Sequence, residues 1–262
     1  MTDREPSIAV SRKWGTFRMA NILFALYLRQ RAYNLCTSMV RAIRSTELPP
    51  LDKFPMSDQV TFRFYRGVLA FRSENYAAAK MDLMFALGHC HREAQGNKRR
   101  IMTYLVPLMM MDGFMPQKDT LKKYPEVNML YGGLIDAAKT GNVGLFDRLL
   151  AEKQDRLAAL GTFLAVEHAR KIAVRQLLHK VYLIDGRNSR IPFDRFKRAM
   201  EFACGCNIES IEVEAVLADM IFCGYLKGYL AHSHGLAVLS KQMPFPPLST
   251  LVTQTPPPPN GA

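Results

Sequence analysis

Long apolar runs are missing from this 262-residue sequence. The longest, Met102 to Met111, covers about ten residues and contains Pro107, whereas a membrane span needs about 20, so membrane insertion is not expected. Met1 to Ser11 carries Asp3 and Glu5 and has no apolar centre, which argues against a secretory signal. Cysteine is scarce and irregularly spaced. Five in a chain of this length imply reduced thiols in the cytosol or nucleus rather than a disulfide framework. Nucleotide-binding and hydrolase motifs are also missing: there is no Walker loop, no GxSxG, no HExxH, and the glycines at 132, 133, 141 and 144 lack the strand-then-helix setting of a dinucleotide fingerprint. Neither catalysis nor a cofactor is expected. Carboxylates are short as well, 23 Asp+Glu against 35 Lys+Arg, giving a net charge of +12. An excess of that size favours acidic partners: nucleic acid, an acidic polypeptide or an anionic surface.

What the sequence has in quantity is helical periodicity. The composition, 48% hydrophobic and 22% charged, is that of a folded protein, and helical spacing runs from Trp14 to Gly224. A first helical hairpin spans about residues 14–44, and the prolines of Leu48 to Pro55 break the chain after it. In the pair Val60 to Phe71 and Tyr76 to His91, Gly67, Ala79, Leu83 and Ala86 fit the small and large positions of a tetratricopeptide-like unit. Further helices are predicted over 97–111, 117–123, 128–139 and 143–152. The longest, Leu160 to Ile184, breaks near Gly161 and has Val166, Ala169, Ala173, Leu177, Val181 and Ile184 as its buried stripe. The expected arrangement is a right-handed stack of antiparallel helices.

After Asp185-Gly186 the pattern changes. One helix begins at Pro192 with Phe193, Phe196, Met200 and Ala203 inward, and a second runs from Glu209 to Cys223. Two short alternating runs, 225–231 and 236–241, flank His232-Ser233-His234-Gly235 and read as a β-hairpin. Helix, helix, helix, hairpin is the order of a winged helix. The expected parts are an N-terminal hairpin and linker (1–55), helical repeats (56–184), a winged helix (185–241) and a proline-rich extended or disordered tail (242–262).

Several segments, FRFYRGVLAFRSENYAAAKMDLMFALGHCHREAQGNKRRIMTYLVP, LLHKVYLIDG, IEVEAVLADMIFCGYLKGYLAHSHGLAVLSKQ and PFPPLST, occur in the order in which they stand in the PCI-domain family, which the chain resembles from Phe64 to Thr250. The resemblance implies all-α helical repeats, a tetratricopeptide-like superhelix, followed by a C-terminal winged helix with a small β-hairpin. It implies a non-catalytic scaffold subunit of a messenger RNA export complex, nuclear and associated with the nuclear pore, with the cytoplasm as a second compartment. The implied partners are a long helical scaffold protein and a small acidic disordered protein, in an obligate hetero-complex. Family members carry a longer N-terminal helical array than this sequence contains. The alternatives are a subunit of a related PCI assembly (signalosome, proteasome lid or translation initiation factor) and a free-standing winged-helix DNA-binding regulator.

The candidate site is basic. Lys171, Arg175, Arg187, Arg190, Arg195, Lys197, Arg198, Lys227 and Lys241 concentrate around the expected winged helix and are candidates for contact with RNA or DNA phosphates. The helix that would read a major groove instead carries Glu209, Glu212, Glu214 and Asp219, which repel phosphates, so contact should be directed at the backbone and indifferent to sequence. Cys204, Cys206, His232 and His234 do not have the cysteine spacing of structural zinc, and His89 and His91 lie on different faces of one helix, so no metal site is expected. Met109, Met110, Met111 and Met115 suit either an adaptable groove or core filling, with core filling favoured.

Overall fold

A computed structural model describes residues 11–248 and Thr250. The stretches 1–10 and 251–262, including the expected disordered end Pro256 to Ala262, lie outside the described residues. The chain divides into two compact units, one up to Leu105 and one from Val106.

The first unit holds α1 (Thr16–Arg29), α2 (Tyr33–Ser45), α3 (Met56–Arg72), α4 (Tyr76–His89) and the larger part of α5 (Gln95–Met111). Its core gathers Phe17, Phe24, Cys36, Phe54 and Phe62. Phe17 meets the rings of Phe54 and Phe62 edge-on at 4.6 and 4.8 Å, the orientation their quadrupoles favour. Phe54 reaches this core from the proline-rich break, which therefore folds back as a short turn rather than acting as a free linker. Within this unit the most extensive helix–helix contact is between α3 and α4. A Cβ on Gly67 would sit 3.0 Å from Leu83, so the small residue sets that approach, as its spacing predicts. The same interface buries Asp82, whose carboxylate accepts from Arg66 through both its oxygens and from Arg63. Asn75 caps α4 by accepting from Ala78 N at 3.2 Å.

The second unit continues with α6 (Lys118–Lys122), α7 (Pro125–Thr140), α8 (Val143–Glu152), α9 (Gln154–Leu160) and α10 (Phe163–Ile184). Pro125 stands in the first turn of α7, and left-handed Gly141 ends it with φ 67°. The break near Gly161 is real, with φ 74° there separating α9 from α10. Along α10, Val166, Ala169, Ala173 and Val181 are buried as the stripe predicts, but Leu178 takes the fully buried place. Ile184 is 84% exposed, because the chain turns away at Gly186 and leaves the last turn of α10 uncovered. Met110 is fully buried and fills core, while Met109, Met111 and Met115 are half-buried.

A winged helix follows: β1 (Arg190–Pro192), α11 (Phe193–Cys204), α12 (Ser210–Phe222), β2 (Gly228–Ala231) and β3 (Leu236–Leu239). The strands form one antiparallel sheet in the order β1-β3-β2. Phe193, Phe196 and Met200 of α11 and Val213, Leu217 and Met220 of α12 are buried, together with Ile191, Ala237 and Leu239 from the inner side of the sheet. Residues 243–248 pack against this unit: Lys227 N donates to Pro244 O at 2.8 Å, and Pro244 and Pro246 are buried. Among the described residues, no helix is long and apolar enough to cross a membrane.

Candidate nucleic-acid interface

The nine candidate cations separate into two groups. Five have internal partners. Lys171 reaches Asp219 at 2.9 Å and lies 3.2 Å from Cys223 Sγ; burial is the largest single influence and opposes its charge, but the hydrogen bonds and the charges of these two partners together raise its pKa. Arg175 donates to Pro246 O at 2.7 Å and lies over the Phe245 ring, and burial pushes its pKa down. It clamps the proline-rich segment onto α10. Arg195 pairs with Asp185 at 3.4 Å, Lys197 with Glu201 at 3.8 Å and Arg198 with Asp194 at 2.7 Å. The Arg198 pair is largely exposed, so it contributes little to stability, yet it offsets charge that a phosphate would otherwise meet.

Arg187, Arg190, Lys227 and Lys241 form no ion pair among the described residues, and all four are exposed. Their placement follows from the sheet register. Arg190, Val238 and Tyr229 stand in one row across β1, β3 and β2. Side chains alternate along a strand: Ile191 faces inward and is fully buried, so Arg190 faces solvent. Tyr229 is 63% exposed on the same outer face, and Lys227, two residues before it, shares that side. With strands about 4.8 Å apart, Arg190 and Tyr229 are separated by about 10 Å. Arg187 sits in the turn after α10 with φ 61°, an uncommon conformation for a residue with a side chain. Lys241 follows β3 directly.

This outer face combines cations with an exposed aromatic ring, the pairing that grips a single strand by its phosphates and stacks on its bases. Tyr229 was not among the residues that sequence reasoning singled out. Its signal was the alternation of the run 225–231, in which Lys227 and Tyr229 share a side. The carboxylates of α12 are turned to other uses: Glu209 and Glu212 close a capping box, and Glu214 meets His232 Nδ1 at 2.7 Å. Among the described residues no three His, Cys, Asp or Glu side chains converge as a metal site would require.

A scan against protein-family models gives no match. The chain is 35% identical over 250 residues to "PCI domain-containing protein 2" of Xenopus laevis, covering 95% of this chain and 61% of that protein. It is 35% identical over 247 residues to "Protein CSN12 homolog" of Schizosaccharomyces pombe, covering 94% and 58%. With "PCI domain-containing protein 2 homolog" of Drosophila melanogaster the identity is 33% over 239 residues, covering 91% and 59%. The chain thus spans about three fifths of the length of these curated relatives.

Proposed function

The chain belongs to the PCI-domain family, and from that premise we propose that it is a non-catalytic scaffold subunit of a messenger RNA export complex in the nucleus. In this reading it binds a helical scaffold protein and a small acidic disordered protein, and it offers the outer face of its winged-helix sheet to nucleic acid without regard to sequence. The observation that carries the nucleic-acid role is the row Arg190–Val238–Tyr229 with Lys227 beside it, cations that form no ion pair among the described residues next to an exposed ring. Sequence-specific reading through α12 is disfavoured, because that helix presents carboxylates where a groove-reading helix needs donors.

The test is the full chain carrying Arg190→Glu with Lys227→Glu, titrated against a labelled oligouridylate at low salt. Affinity should fall by at least about tenfold, since two phosphate contacts become repulsions. Reversing Lys197 and Arg198, which already have carboxylate partners, should cost less. Unchanged binding in the first variant removes the sheet from the interface.

A further inference from the structure

In a chain of net charge +12, the stretch from Ala199 to Leu226 contains no Lys, Arg or His and five carboxylates: Glu201, Glu209, Glu212, Glu214 and Asp219. Within it, α12 is apolar on two sides. One side is the winged-helix core. The other consists of Ile211, Ala215, Ala218 and Phe222, spaced i, i+4, i+7 and i+11 and so aligned along the outer surface. All four are exposed, Ile211 to 71% and Phe222 to 91%. Large side chains at both ends and alanines between make a shallow saddle, in which a second helix can approach closely at the centre.

Glu212 and Asp219 border this stripe on one side and Glu214 on the other, with Glu209 at its start. Asp219 and Glu214 already meet Lys171 and His232. Glu209 and Glu212 have no ion pair among the described residues, nor has Glu167, which lines the adjoining groove of about 460 Å³ between α10 and α12 with Ala215, Val216 and Asp219 and with His168, Arg170 and Lys171, the last two held by Asp147 and Asp219. We propose that the outer face of α12 docks an amphipathic helix of a partner protein whose apolar stripe is bordered by Lys or Arg. The carboxylates repel the alternatives that are polyanions, nucleic acid and anionic membranes. They also disfavour a second copy: two-fold antiparallel pairing of α12 with itself sets each acidic border against the same border of its mate. The inference rests on the scaffold reading only in supposing a protein partner, and it uses none of the sheet residues.

The probe is a synthetic helical peptide with leucines three and four apart bordered by lysines, beside a twin in which glutamates replace the lysines. Each is titrated into the full chain by fluorescence anisotropy. The lysine peptide should bind at least about tenfold more tightly than its twin. Ala218→Arg and Phe222→Ser should each weaken it by a similar factor, and Phe222→Ser should leave oligouridylate affinity unchanged. Both positions are exposed, and far-UV circular dichroism checks the fold; should Ala218→Arg misfold, Phe222→Ser carries the test alone. Equal binding of the twin peptides, or wild-type binding by the variants, overturns the proposal. So does sedimentation showing self-association that Ala218→Arg abolishes, which assigns the face to a second copy, or loss of oligouridylate affinity in Phe222→Ser. Failure of the sheet variants to affect RNA, with peptide binding intact, would sink the nucleic-acid role and leave this docking face standing.

Discussion

His179 shows how one half-buried side chain makes the second unit sensitive to acid. It packs against Phe245 at 4.8 Å between ring centroids, on the same helix as Arg175, which clamps Pro246. Burial, reinforced by the charges of Arg175 and Arg187, holds its pKa below the ordinary 6.5. Because the folded value is depressed, the unfolded chain binds the proton more readily in the interval between the two. His179 therefore contributes full stability above 6.5 and loses it as pH falls from there toward the folded value. Urea midpoints should be lower at about pH 5.5 than at about pH 7.5, and His179→Phe, which keeps a ring against Phe245, should flatten part of that slope. Identical slopes in the two proteins would mean that this ring does not titrate across folding.

The tightest constraint between elements in the second unit is Gly144. A Cβ there would lie 2.1 Å from Ala203 O, so α8 and α11 meet backbone to backbone and the winged helix is seated against α8 through this contact. Neither a carbonyl nor a helix backbone can swing aside as a flexible side chain does. Gly144→Ala should therefore lower stability by about 1–3 kcal/mol, read as a drop in thermal midpoint; an unchanged midpoint would show that the helices separate at no cost. Nothing in the sequence around Gly144 marks this contact, because its partner is far along the chain. Helices whose apolar spacing persists over several turns, such as α3, α4 and α8, were legible within a few residues. So was Gly67, whose partner lies one turn-linked helix away. The strand β1 was not: Arg190-Ile191-Pro192 is too short to show alternation, and it becomes a strand only by pairing with β3. Ile184 was placed in the core because periodicity reports which side of a helix a residue is on but not where its covering neighbour ends.

At the scale of the whole chain, net charge predicted a polyanion-binding surface but could not say which cations remain available. The i, i+4 pairs Lys197–Glu201 and Arg198–Asp194 were legible in principle, since helical spacing alone brings such residues together. Lys171 with Asp219 and Arg175 with Pro246 come from distant parts of the chain and needed the fold. The charge is also segregated. From Ser11 to Thr46 there is no Asp or Glu, while Arg12, Lys13, Arg18, Arg29, Arg31, Arg41 and Arg44 are present. Two basic regions thus compete for the role of platform, and the salt dependence of binding separates them. Each phosphate neutralised on a single strand contributes about 0.7 to the slope of log K against log salt. If the sheet face is the platform, replacing Arg190 and Lys227 with Gln should reduce the slope for oligouridylate by about 1.4, measured between about 50 and 200 mM salt. The corresponding change at Lys197 and Arg198 should alter it much less, because release of their own carboxylates offsets the phosphate contact. A slope that survives the sheet variant and collapses when Arg18, Arg29 and Arg41 are neutralised would move the platform to the α1–α2 hairpin.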